Sequence, residues 1–395
     1  MNLKQDFSWF INTNNTVRFG LNVIYHTFKP GKLESSGENE INDIILEQQY
    51  AYESGIYLSN DQKIGSRLNI NYGFRYSMFN AVGPGTVNTY ASDGSIVNSE
   101  LYQQGEGIIN YQGFEPRFSA SFILNETSSM KASFQRMFQY VHLLSSTTSE
   151  NPTDIWVPSS INVKPGSSEQ YSIGYFRNFL DDRFETSVEV YYKDLHDQID
   201  YKDGANVLLN EDVEADLAFG RARSYGAEFY IKKRTGKFTG WIGYTLGKTE
   251  KQFNQINSGN WYSARQDRLH DISVVGTYKV NEKWTISANW IYYTGDAVTF
   301  PSGQYVIDGR TVPLYTERNG YRMPDYHRLD LSATLLGRQD RRIKSSWNFS
   351  IYNLYGRENA YSISFREKED EPGVNEAVQI SLFSIIPSVT WNFKF

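Results

Sequence analysis

The sequence of 395 residues contains no cysteine, so neither a disulfide nor a thiolate metal centre holds the fold. It has no run approaching the roughly 18 apolar residues of a spanning helix. Any membrane location must therefore come from strands. An excess of one charge is lacking as well: 39 basic and 45 acidic residues are interleaved to a net −6. That leaves no basic patch for nucleic acid, which we exclude as a partner. There is no Gly-x-x-x-x-Gly-Lys loop to cradle phosphate. No proline-rich, glycine/serine-rich or charge-block linker separates one half from the other, so we read one continuous architecture. The opening Met1-Asn2-Leu3-Lys4-Gln5-Asp6-Phe7 lacks the charged and apolar regions of a secretory signal. A protein that reaches a membrane through strands must first be exported, so a missing upstream segment is expected.

What is abundant is aromatic. The hydrophobic fraction is 39%, below the globular norm of about 45–50%, yet the chain carries 29 Tyr, 24 Phe and 8 Trp. That combination suits a barrel with aromatic girdles. The apolar residues alternate. Near the end Phe383, Ile385, Val389, Trp391, Phe393 and Phe395 oppose Ser384, Ser388, Thr390, Asn392 and Lys394, and strand residues two apart share a face. Leu68, Ile70, Tyr72, Phe74 and Tyr76 repeat the pattern, as do Phe184, Val188, Val190 and Tyr192, and Trp284, Ile286, Ala288 and Trp290. The segments run to ten residues or more, longer than ordinary sandwich strands and matched to the roughly 9–11 residues of a tilted membrane strand.

Short polar turns follow every second strand, at Thr13-Asn14-Asn15, Asn60-Asp61, Asn125-Glu126, Asp181-Asp182, Thr235-Gly236, Asn281-Glu282 and Gln339-Asp340. The other connections, 29–46, 81–113, 143–167, 201–219, 251–268 and 295–325, are long and polar. Loop length sorted by parity is the outer-membrane arrangement, with short turns in the periplasm and long loops outside. A strand from 343 to about 366, a polar loop 367–376 and a final strand from 381 to 395 complete about fifteen strands. The fold class is all-β, a transmembrane antiparallel meander barrel. An odd count with two open edges points to a partial barrel or one completed by another chain, because unpaired backbone in lipid is costly.

Several stretches resemble the C-terminal barrel of TonB-dependent outer-membrane receptors, in the form common among Bacteroidetes. They are 116–122 (Pro-Arg-Phe-Ser-Ala-Ser-Phe) with 131–134, 164–171 (Lys-Pro-Gly-Ser-Ser-Glu-Gln-Tyr) and 222–228 (Ala-Arg-Ser-Tyr-Gly-Ala-Glu). Nearer the end come 326–332, 352–355 and the terminal Phe395. The resemblance implies that residues 1–395 are about 15 strands of a 22-strand barrel, its C-terminal two-thirds, with no plug domain. It implies TonB-energised uptake of a scarce solute such as a siderophore, cobalamin, an oligosaccharide or a peptide. The implied partners are outer-membrane lipid, the solute, and TonB-ExbB-ExbD acting through a missing N-terminal region. A surface lipoprotein lid over the loops is compatible with it. The alternatives are a passive porin and a surface binding or adhesion barrel that transports nothing.

Candidate solute contacts lie in the long loops: His142 and Trp156, Trp261 and Tyr262, and Tyr315, Arg318 and Tyr321. Aromatics there offer stacking surfaces beside hydrogen-bond donors, and the bland alternative for each is loop packing. Phe395 is expected at the periplasmic end as a membrane-assembly signal. Asp194, Asp197, Asp200 and Asp203 with His196 raise the question of a cation site. A spacing of three alternates faces on a strand, so only a loop could converge them; we expect no metal here, and no cofactor. The five histidines sit in no nucleophile constellation, so no catalytic residue and no enzyme are expected.

Overall fold

The computed structural model describes all residues except 34–43, 146–153, 206–209, 308–309, 339–341, 369 and 372–373. Fifteen strands follow one another in a single antiparallel sheet, each paired with its sequence neighbours. The first eight are β1 (Asn2–Asn12), β2 (Asn15–Phe28), β3 (Gln49–Ile64), β4 (Leu68–Val82), β5 (Gly107–Asn125), β6 (Ser128–Gln139), β7 (Gly166–Phe179) and β8 (Phe184–Tyr201). The rest are β9 (Leu217–Lys233), β10 (Phe238–Phe253), β11 (His270–Lys279), β12 (Trp284–Tyr293), β13 (Tyr326–Leu336), β14 (Lys344–Tyr352) and β15 (Ile386–Lys394). β1 and β15 are the two edges of the sheet.

The register sorts the side chains by chemistry. On one face Trp347 stands opposite Trp391 and Phe349 opposite Val389, and Phe74, Phe118, Phe229, Ile242 and Ile286 are exposed on that side. On the other face polar residues meet across strands: Ser350 and Ser388 (2.8 Å), Ser133 and Ser172 (2.9 Å), Ser224 and Thr249 (2.9 Å). Gln135 opposite Arg117 and Glu189 opposite Glu228 belong to this polar wall. The pleat puts alternate residues on opposite sides, so the apolar face meets lipid and the polar face lines the lumen. Tyr191 lies across this inner wall, its hydroxyl 2.9 Å from where a Cβ on Gly247 would stand. Glycine there lets the ring lie flat on the sheet.

Short turns join β1 to β2, β5 to β6, β7 to β8, β9 to β10 and β11 to β12 where the sequence places them. The turn expected at Gln339-Asp340 lies outside the described residues. The turn expected at Asn60-Asp61 is instead inside β3, and the chain reverses at 65–67. Asn60 donates to Asn15 (3.2 Å) and to the Tyr72 hydroxyl (3.1 Å), and Asp61 pairs with Arg18. Cross-strand partners thus hold two residues of turn-like chemistry in extended backbone, while Gly65 takes the left-handed φ of +60° that the reversal needs.

A second correction concerns the strand expected from 343 to 366. β14 stops at Tyr352, where Asn353 adopts φ +52° and its side-chain amide donates to the Arg357 carbonyl (2.9 Å). Ser362–Glu367 then pairs with Asn375–Ile380 as a separate hairpin. The last barrel strand begins at Ile386 rather than Ser381, because Tyr352 pairs with Ile386 and no ladder reaches further back.

The long connections also form structure. Gly85–Tyr90 pairs with Ile96–Tyr102, Val141–Leu144 with Ile155–Pro158, and Gly303–Ile307 with Arg310–Leu314. The buried apolar clusters sit where these loops meet the upper ends of the strands. Leu144, Val157 and Val163 pack with Ile199, Tyr201 and Leu217, Phe79 stacks on Tyr140 at 5.2 Å, and Ala218, Phe253, Ile256 and Tyr262 form a third group.

Candidate functional site

The loop layer is cross-braced by charge. Asp200, at the end of β8, is 8% exposed. It accepts from Arg318 (3.0 Å), Lys251 (3.2 Å) and the Tyr262 hydroxyl (3.1 Å). Arg318 also donates to Asp203 (2.6 Å) and to the Tyr201 carbonyl (3.2 Å), while Asn257 and the Arg318 backbone exchange two bonds. Arg318 therefore ties the loop 295–325 to the β8–β9 loop through its guanidinium and to the β10–β11 loop through its backbone. A buried carboxylate demands such partners. Burial first, then the Asp200 carboxylate, holds the Tyr262 phenol far above its ordinary range.

A second brace joins earlier loops. Asp212 accepts from Asn88 (3.1 Å) and Tyr90 (2.9 Å), and Asn162 donates to Glu214 (2.6 Å) and to the Asn88 carbonyl (2.8 Å). Burial raises the Glu214 carboxyl against the lowering effect of Asn162. His142 is 6% exposed beside Ser159 (3.3 Å), and burial alone pushes its imidazole down to about 4. It is a neutral packing residue of the loop layer.

The candidate contacts therefore divide. Tyr262 and Arg318 are brought together through Asp200, and His142 is enclosed separately. Trp156 is 57% exposed on the hairpin that begins at Val141, and Tyr315 and Tyr321 are exposed on the loop after β12. Trp261 stands beside Arg221 and Arg223 on the outward side of the wall, away from the lumen. Phe395 follows β15 and is exposed at the short-turn rim. Of the acidic series, Asp200 and Asp203 converge on Arg318 while Asp194 faces His196 (3.4 Å). Among the described residues no group of three or more potential ligands converges on a metal position.

One group has no counterpart among the candidates read from the sequence. On the inner face near the loops, Arg268 lies 3.7 Å over the Tyr293 ring and pairs with Asp296 (2.9 Å). Tyr293 stacks on Tyr326 at 4.6 Å, and Arg328 binds the Tyr326 and Tyr352 hydroxyls (2.9 and 2.8 Å) and Asp330 (2.9 Å). The alternation of Tyr326, Arg328 and Asp330 was the available signal, but their partners come from three other segments.

The family model described as TonB dependent receptor-like, beta-barrel matches residues 1–354. The chain belongs to this family of TonB-dependent receptor barrels. As such it is an outer-membrane protein crossing with strands; no described helix is long and apolar enough to cross. No curated protein matches the chain. Among solved structures, the ferric-catecholate import receptor Fiu from Escherichia coli K12 is 14% identical with a TM-score of 0.57, covering 100% of this chain and 54% of its own. The FrpB iron transporter from Neisseria meningitidis is 13% identical with a TM-score of 0.58, covering 99% and 53%. The ferripyoverdine receptor of Pseudomonas aeruginosa is 17% identical with a TM-score of 0.55, covering 92% and 44%. At these identities the likeness is one of fold, and the receptor barrel described here spans about half the length of the structures it matches.

Proposed function

We propose that residues 1–395 are the larger part of the wall of a Bacteroidetes-type receptor that imports a scarce, large solute across the outer membrane. The observation that carries this reading is the combination of a polar inner wall with a loop layer braced by buried ion pairs. A passive pore needs the wall; a receptor needs a rigid rim that presents fixed contacts. The open edges β1 and β15 and the half-length coverage support further strands and a plug in the complete protein, since an unpaired edge in lipid costs several kcal/mol per backbone group, in round terms. The solute is a siderophore, cobalamin, an oligosaccharide or a peptide. The solved relatives named above import or bind ferric catecholate, iron and ferripyoverdine, which favours the first. Energy comes from TonB-ExbB-ExbD through a region outside these residues, and no bond of the solute is altered.

Trp156, Tyr315 and Tyr321 are the contacts we assign to the solute or to a lipoprotein lid. Tyr262, Arg318 and His142 hold the loops that present them. The test is uptake of labelled candidate solutes by cells carrying the complete protein, with and without TonB. Uptake that stops without TonB supports the reading. Uptake that persists, with conductance in planar bilayers, indicates a porin, and binding without uptake indicates an adhesion barrel.

A further inference from the structure

We propose that the outward face of β9 and β10, just above the apolar band, is a binding surface for the phosphate-bearing headgroup of an outer-leaflet lipid, built from Arg221, Arg223, Lys248 and Trp261. Parity sets the direction. On β9 Ile231 and Phe229 are exposed to the lipid side, and Tyr225, Arg223 and Arg221 follow at steps of two. On β10 Ile242 and Leu246 are exposed and Lys248 and Glu250 follow on the same face. Register places Arg223 opposite Glu250 and Tyr225 opposite Lys248. Tyr262 pairs with Lys251 on the inner side, so Trp261, one residue earlier, turns outward.

Height is the second argument. From Lys233 at the short-turn rim to Arg223, the strand climbs roughly 25 Å at about 3.4 Å per residue and a tilt of about 40°. That is the height of the apolar band of an outer-membrane barrel. Tyr192 and Tyr225, stacked at 6.4 Å, form the girdle, and the cations begin one step above it. This is the level of lipid phosphates.

The chemistry of the cluster selects an anion. Arg223 lies 4.2 Å and Arg221 5.2 Å from the Trp261 ring, which fixes both guanidinium planes. Arg223 and Lys248 share Glu250, and Arg221 gives its Nε to Gln252 (2.9 Å). The terminal nitrogens of Arg221 have no partner among the described residues. Arg223 and Lys248 pair with Glu250, and Asp194 lies opposite Arg223, so this face carries three cations against two carboxylates. The positive excess, with donors left over, suits a phosphate held by forked and pointed donors together. A lone girdle position needs one snorkelling cation; two guanidiniums against an indole, with a lysine sharing the carboxylate of one of them, make a surface for a headgroup.

The experiment isolates the complete receptor from outer membranes in mild detergent and measures retained lipopolysaccharide per folded molecule. The triple variant Arg221→Gln, Arg223→Gln, Lys248→Gln should retain at least fivefold less, with heat-modifiable migration unchanged. A paired variant, Arg223→Gln with Glu250→Gln, removes the ion pair without stranding a carboxylate and should show an intermediate loss, keeping the test open if the triple variant fails to assemble. Purified lipopolysaccharide added back should rebind to the original protein, and its dephosphorylated form should not. Equal retention by original and variant proteins overturns the proposal, as does equal rebinding of the two lipid forms, which would place the contact on sugar or acyl chain instead.

Discussion

At the scale of residues, the largest local energies sit in the loop layer. Arg318→Met leaves the buried Asp200 with Lys251, Tyr262 and the Tyr201 backbone N–H as its partners, and the about 3–5 kcal/mol of a fully uncompensated buried charge is the upper bound of the loss. Hydrogen exchange should therefore rise in the β8–β9 and β10–β11 loops of this variant while the barrel still migrates as a folded species. His142 adds a pH dependence of known sign. Its folded imidazole titrates near 4, below an unfolded value of about 6.5, so the unfolded loop binds more protons between those limits. The stability it contributes is full above about 6.5 and is lost as the pH falls toward 4, up to about 3 kcal/mol in all. Glu214 acts the other way, its raised carboxyl contributing at acid pH and losing that contribution as the pH rises. Protease cleavage within residues 141–158 should accelerate from pH 7.5 to pH 5, and His142→Gln should flatten that slope. For solute contact, Trp156→Ala should weaken binding several-fold, since about 1 kcal/mol of ring contact is roughly a factor of five; unchanged affinity removes Trp156 from the site. Deleting Phe395 should lower the heat-modifiable fraction, and unchanged assembly counts against an assembly role.

At the scale of elements, turn position decides register. Gly65 is the left-handed residue of the β3–β4 reversal and a Cβ there would meet nothing within 4 Å. Gly65→Val thus carries only the backbone penalty, about 1–2 kcal/mol, whereas Gly65→Asn costs less. Folding yield after refolding into detergent should order as glycine, asparagine, valine. Asn60 and Asp61 show why composition alone misplaced this turn: their side chains suit reversals, but partners on β2 and β4 satisfy them in the strand. The Asn353 turn was missed for the opposite reason. Its left-handed backbone is secured by a bond to Arg357 and by Asp330, which accepts from the Asn353 amide (2.9 Å), and neither is visible as a turn signal in the alternating run.

At the scale of the whole molecule, the sheet ends in two edges that lie in the apolar band. β1 is exposed along its full length. Residues 1–395 expressed alone should fail to reach a heat-modifiable, protease-resistant form in lipid, while the complete gene product should reach it. Efficient insertion of these residues by themselves would overturn the partial-wall reading.

The sequence by itself determined the class, the strand alternation, the parity of loop lengths and the family, because a membrane wall repeats one local rule, apolar out and polar in, along every strand. Most short turns were legible for the same reason. Only the tertiary structure decided what the loop residues do. Arg318 meets Asp200 and Asp203, more than a hundred residues away, and nothing local in either segment encodes that pairing. Trp261 looks like a loop aromatic in sequence, yet one residue of register turns it from the lumen to the lipid. Strand chemistry repeats at a period of two and can be read; loop chemistry depends on which segments the barrel brings side by side.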